Sequence, residues 1–260
     1  MPELPEVEAY RRLGERALHR RVAAVDAHDA WFLKGGLTAE HLAAVVEGAT
    51  FTASRRIGKL MLLDTDGGVA VGLRFGMTGR LLVDGHAGVD ELEYSSVRDE
   101  PAWDRVGFRF QDGGDLRIRD PRRLGGVLLA PDEARLGADA LTVTPGALRA
   151  ALGSSAAPLK ARLMDQARLA GVGNLVADET LHRAGLDPAR PAGSLSPAEL
   201  RRLHRALRTT VALLIVRGGS HTGDLQPQRR PGGRCPRDGT PLVRRTVGGR
   251  TTWSCPRHQR

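Results

Sequence analysis

The sequence predicts an α+β chain of several domains: an N-terminal β-sandwich behind one N-terminal helix, then a helical half that ends in a small β-hairpin. Three observations predict it. Short apolar runs bounded by Gly- and Asp-rich turns dominate from about Val22 to Leu129. From about Ala130 the apolar residues take helical spacing, and Ser196-Pro197-Ala198-Glu199 forms a capping box. A Gly-, Pro- and Arg-rich tail then carries both cysteines, Cys235 and Cys255.

In order, Pro5 to about His19 reads as a helix, with Val7, Tyr10, Leu13 and Ala17 along one face. Gly58 to Leu63 and Val69 to Phe75 flank the turn Asp66-Gly67-Gly68 and form a hairpin. A second hairpin pairs Val106–Phe110 with Leu116–Arg119 through Asp112-Gly113-Gly114. Later, a helix near Leu159 to Ala167 leads through Gly171-Val172-Gly173-Asn174 into another that ends at Gly185. The capping box opens a helix running to about Val216, where Gly218-Gly219 stops it. The tail folds into a hairpin between the cysteines. The expected domains are 1–131, 137–226 and 229–260.

The chain has 260 residues and a formal net charge of +9, a balance that favours a polyanionic partner, nucleic acid before membrane. No apolar run could span a bilayer, and no signal-peptide pattern opens the chain, so the expected location is cytoplasmic. Only three basic residues are lysine: Lys34, Lys59 and Lys160. Such a location argues against a disulfide between the cysteines and leaves metal ligation as the competing reading.

The first eight residues, Met1-Pro2-Glu3-Leu4-Pro5-Glu6-Val7-Glu8, carry the sharpest chemical signal. With Met1 removed, Pro2 presents a secondary amine beside the Glu3 carboxylate. An α-amino group titrates near pKa ~8, so part of it is nucleophilic at neutral pH. Adding to a sugar C1′, it collapses to an iminium ion, an electron sink. The competing reading is a helix start, which Pro and acidic residues suit equally well. At Gly171-Val172-Gly173-Asn174, two glycines and the following helix N-terminus could bring backbone N–H groups to an anion, and a plain turn is the alternative.

Lys160, Leu163-Met164-Asp165-Gln166, Gly171-Val172-Gly173-Asn174 and Ala177-Asp178-Glu179, together with the Pro-Glu-Leu-Pro-Glu-Val-Glu start, resemble the formamidopyrimidine-DNA glycosylase and endonuclease VIII family. The resemblance covers nearly the whole chain, with its motifs in the family's order. It implies a helix–two-turn–helix in the second domain. It also implies Pro2 as Schiff-base nucleophile, Glu3 as its acid–base partner and Glu6 as a supporting acid. Lys59, Asn174 and Arg250 match phosphate contacts, and Lys160 a lysine near the damaged base. Met77, in Arg74-Phe75-Gly76-Met77-Thr78-Gly79, matches the residue that fills the gap left by a flipped nucleotide.

Three departures stand out. In Asp120-Pro121-Arg122-Arg123-Leu124-Gly125, Arg122 matches the arginine facing the orphaned base, while Leu124 replaces the family's wedging phenylalanine. The family's four-cysteine zinc finger keeps its spacing, but as Cys235, Asp238, Cys255 and His258, all of which are chemically able to ligate one structural zinc. The stretch from Gly218-Gly219-Ser220 to Cys235 is shorter than usual, which implies ring-opened purines or oxidised pyrimidines ahead of 8-oxoguanine. From Arg229 onward nine arginines meet one acid, Asp238, an electrostatic clamp for phosphates.

The expected activity is therefore excision of oxidised bases from duplex DNA with strand scission at the abasic site. The expected protein is a monomer using no small-molecule cofactor. The alternative is a non-catalytic binder of DNA damage on the same scaffold.

Overall fold

The computed structural model describes residues 2–89, 92 and 98–260. They divide into two compact units, one of Pro2 with Glu6–Glu133, the other of Glu3–Pro5 with Ala134–Arg260. The expected removal of Met1 concerns a residue outside the described ones.

Helix α1 (Leu4–Gly14) has Glu6 in its first turn and Arg11 and Arg12 in its last, each suited to the helix dipole. It stops short of the expected His19: a 3₁₀ turn, Glu15–Ala17, follows, and His19 takes φ 64°. The first unit then runs through β1 (Val22–Asp26), α2 (Ala39–Val46), β2 (Phe51–Ile57), β3 (Leu60–Thr65) and β4 (Ala70–Arg74). It continues with β5 (Arg80–Val83), β6 (His86–Ala87), β7 (Asp104–Phe110), β8 (Asp115–Arg119) and β9 (Gly126–Leu129). One sheet has the order β1-β7-β8-β5-β6 and the other β2-β3-β4-β9.

Their inner faces share one core. Met61, Leu63, Val71 and Leu73 come from the second sheet, and Leu81, Val83, Val106, Phe108 and Ile118 from the first. In β7 the buried residues Val106, Phe108 and Phe110 alternate, as a strand with one face in a core requires. Phe51 meets Phe108 edge-on at 5.6 Å between ring centroids. Both expected hairpins are present as β3–β4 and β7–β8.

Helix α2 was not expected. The hydroxyl of Thr38 accepts the backbone N–H of His41 as its N-cap, and Leu42 and Val46, one turn apart, are buried. In the sequence Leu42 to Val46 is an unbroken apolar run, which does not stand out among strands.

In the second unit β10 (Ala138–Asp139) pairs in parallel with β11 (Leu169–Ala170). Its helices are α3 (Pro145–Leu152), α4 (Leu159–Leu163), α5 (Asn174–Ala184) and α6 (Pro197–Val216). Helix α4 ends earlier than expected because the Asp165 carboxylate accepts the N–H of Ala167 in a local turn. The capping box at Ser196 and Glu199 forms in both directions. Leu4, Leu163, Val172, Val176, Leu181, Leu207 and Val211 belong to this unit's core. The tail hairpin pairs β12 (Val243–Val247) with β13 (Arg250–Ser254). Among the described residues no helix is long and apolar enough to cross a membrane.

Candidate functional site

The Gly171–Asn174 turn aims the first backbone N–H groups of α5 at a carboxylate supplied by the chain itself. Leu175 N–H donates to Glu3 Oε1 at 2.9 Å and Val176 N–H to Oε2 at 3.1 Å. The anion expected at this helix N-terminus is therefore Glu3, which is 1% exposed. Gly173 permits the approach, since a Cβ there would fall 2.2 Å from Glu3 Cδ. Leu4 N–H fixes the N-terminal segment further by donating to Gly171 O at 3.2 Å. Asn174 is half-buried, and its Oδ1 has no hydrogen-bond partner among the described residues.

Lys160, expected close to the damaged base, is fully buried. Its ammonium lies 2.7 Å from Asp178 Oδ1 and donates to Thr252 Oγ1 at 2.8 Å and Thr251 O at 3.1 Å. Three donors are thus engaged inside the protein, tying α4 and α5 to β13 instead of reaching outward. Burial pushes the Lys160 pKa down, opposed by Asp178. Arg229 approaches the other Asp178 oxygen at 3.0 Å. Arg250 is exposed at the start of β13.

Cys235, Asp238, Cys255 and His258 converge, their ligand atoms all lying within 4.8 Å of one another. Zinc bonds of about 2.0–2.3 Å in a tetrahedron imply ligand–ligand edges of about 3.3–3.8 Å. The observed separations fit: Cys235 Sγ to His258 Nδ1 is 3.5 Å, Cys255 Sγ to Asp238 Oδ2 3.4 Å, and His258 Nδ1 to Asp238 Oδ2 3.5 Å. The cysteines are free and buried. Burial pushes the Cys235 thiol up to about 11, while the Thr240 backbone N–H helps hold Asp238 well below the usual carboxylate range.

The first unit holds the other expected residues. Pro2 and Glu6 are buried, and Lys59 is half-buried in the turn joining β2 to β3. The Met77 loop and the Leu124 loop are brought together by one buried carboxylate, Asp120. Its Oδ1 accepts the Thr78 hydroxyl at 2.5 Å and Arg122 N–H at 3.2 Å. Its Oδ2 accepts Leu124 N–H at 2.9 Å and Gly125 N–H at 2.8 Å. Gly76 touches the facing loop so closely that a Cβ would fall 2.4 Å from the Leu124 carbonyl carbon. Met77 is half-buried, Arg122 exposed, and Leu124 49% exposed.

Sequence reasoning assigned no role to Asp120 or Asp178, although both stand inside the quoted motifs. A third, Glu179, is buried and accepts Leu225 N–H at 2.7 Å and Gln226 N–H at 2.9 Å. It anchors the short stretch after α6, and burial pushes its carboxyl up to about 7.

The family model described as the formamidopyrimidine-DNA glycosylase N-terminal domain matches residues 1–127, and that of the same enzyme's H2TH domain matches residues 136–225. The chain belongs to the formamidopyrimidine-DNA glycosylase family. It is 37% identical to the formamidopyrimidine-DNA glycosylase of Thermus thermophilus, covering 98% of this chain and 97% of that one. It is 36% identical to that of Xanthomonas campestris pv. campestris over the whole of both chains. A crystal structure of Lactococcus lactis Fpg with DNA containing an oxidised pyrimidine is 25% identical, with TM-score 0.83 and full coverage of both chains. This chain is accordingly an enzyme of the formamidopyrimidine-DNA glycosylase type.

Proposed function

We propose that the protein removes oxidised bases from duplex DNA and then cuts the abasic strand, with mature Pro2 as nucleophile. The observation that carries this reading is the Glu3 carboxylate, adjacent to Pro2 in sequence and pinned by two N–H donors at the start of α5. A carboxylate held this firmly is placed to move protons around a sugar bonded to the neighbouring amine. The Pro2 nitrogen lone pair attacks C1′, and the base departs with the glycosidic electrons and a proton. Ring opening at O4′ gives the iminium, which acidifies C2′–H. Proton loss there expels the 3′ phosphate, and a second elimination expels the 5′ phosphate.

Lys59, Asn174 and Arg250 are the proposed phosphate contacts, helped by the basic tail. Met77, Arg122 and Leu124 act on the duplex where the nucleotide leaves, and Glu6 supports the N-terminus. Lys160 positions α5 from within. The anchored, short stretch after α6 favours ring-opened purines and oxidised pyrimidines as substrates. Cys235, Asp238, Cys255 and His258 would hold one zinc, which, when bound, cross-links the tail hairpin.

The test is borohydride reduction of a mixture with abasic duplex DNA. A covalent adduct at the Pro2 nitrogen is expected, and it should be absent from protein that retains Met1, whose Pro2 nitrogen is an amide. Binding without an adduct would leave a damage-recognition protein.

A further inference from the structure

Helix α5 touches the four-residue metal cluster through a fifth residue, His182, which none of the ligand positions explains. The ring is 8% exposed, and its Nε2 lies 3.3 Å from Cys235 Sγ. The carbonyl oxygen of the same residue is 3.1 Å from His258 Nε2. The two imidazoles meet edge-on, 4.6 Å between centroids at 85°. One residue of α5 therefore contacts two ligand residues, one through its side chain and one through its backbone.

The chemistry of each contact is defined. A ligating thiolate retains lone pairs that accept an N–H, and such a bond draws charge off the sulfur and fixes its orientation. A histidine that ligates through Nδ1 carries its proton on Nε2 and needs an acceptor for it. The His182 carbonyl is that acceptor. A ligating thiolate can only accept, so the His182 ring nitrogen that faces Cys235 Sγ is the one that carries the hydrogen.

We propose that His182 is an outer-sphere clamp of the metal centre: Nε2–H donates to the Cys235 thiolate while the carbonyl oxygen orients His258. His182 is a positioning residue and does not itself ligate. The inference rests on the reading of Cys235, Asp238, Cys255 and His258 as a metal site. Its consequence is that the helix whose first turn holds Glu3 is fastened at its last turn to the metal-binding tail.

The experiment uses full-length protein with Co(II) in place of zinc, comparing the parent with His182→Phe, which keeps the ring and loses the N–H, and His182→Gln, which keeps an N–H donor. Cobalt stoichiometry and absorption are read together with metal release to a competing chelator. The expected result for the Phe variant is one Co(II) per chain, a thiolate-to-cobalt band moved to lower energy, and affinity reduced about 10- to 100-fold. The Gln variant should recover part of both changes. Thermal unfolding of the metal-free proteins checks that each variant folds, and an unfolded Phe variant leaves the comparison to Gln, whose affinity must then fall between parent and metal-free background. An unshifted band with unchanged release overturns the inference while the metal reading stands. Loss of the tetrahedral cobalt spectrum would make His182 a ligand and also overturns it. A parent that takes up no Co(II) overturns the metal reading and the inference with it.

Discussion

The Lys160 ammonium lies 2.7 Å from the Asp178 carboxylate, and neither side chain reaches solvent. Arg229 shares the same carboxylate from its other oxygen. A buried anion with two cationic partners holds α4, α5 and the tail in one arrangement. Asp178→Asn should therefore leave both cations under-compensated. The expected cost is about 3–5 kcal/mol, read as a lower urea midpoint. A loss below about 1 kcal/mol would show the cluster to be relaxed or hydrated.

Gly173→Ala tests whether the placement of Glu3 governs activity. Its new methyl would overlap the Glu3 carboxyl carbon, 2.2 Å away, and that side chain is buried and cannot swing aside. Strand cleavage on an abasic duplex should fall about 100-fold or more, comparable to losing a positioned acid–base group. Duplex binding should change far less. Equal losses in binding and cleavage would argue that the helix start, not the carboxylate, was damaged.

Glu179 makes stability depend on pH. Its folded-state pKa is raised from 4.5 to about 7, so the folded protein binds more protons than the unfolded chain between those values. The group's favourable contribution is complete below pH 4.5 and is lost as pH rises through about 7. The upper bound for the change is about 3 kcal/mol. Glu179→Gln, which keeps an acceptor for Leu225 and Gln226, should flatten this part of the stability profile. An identical slope in parent and variant would remove Glu179 as its source.

Leu124 is 49% exposed on a loop whose backbone is locked by Asp120. Leu124→Ala should leave stability within about 0.5 kcal/mol of the parent. Affinity for a lesion-containing duplex should nevertheless drop several-fold, and Leu124→Phe should restore or exceed it, because an aromatic ring stacks where leucine only fills space. Equal affinities for lesion and undamaged duplex across the three proteins would show that Leu124 does not wedge.

Much of this molecule was legible as one-dimensional pattern. The octet at the N-terminus, the two Gly-bounded hairpins, the capping box at Ser196 and the spacing of Cys235, Asp238, Cys255 and His258 are local signals. The structure contains both hairpins, the cap and a convergent four-residue cluster. Helix α2 escaped because Leu42 to Val46 is a continuous apolar run, which periodicity cannot tell from a buried strand. The end of α4 escaped because a side-chain turn at Asp165, not a Gly or Pro, stops it.

The sequence by itself determined which chemical groups are present, their order, and where the helices and strands with clear caps and turns begin, because capping, turn chemistry and periodicity act over a few residues. Only the tertiary structure decided how those groups are employed. It turned the α5 N-terminus inward onto Glu3, consumed Lys160 in an internal ion pair, and gave Asp120 two loops to hold. It also set His182 against Cys235, 53 residues away in the chain. The physical reason is the same throughout: a buried charge or N–H must find its partner in three dimensions, and no spacing rule along the chain records which partner packing will supply.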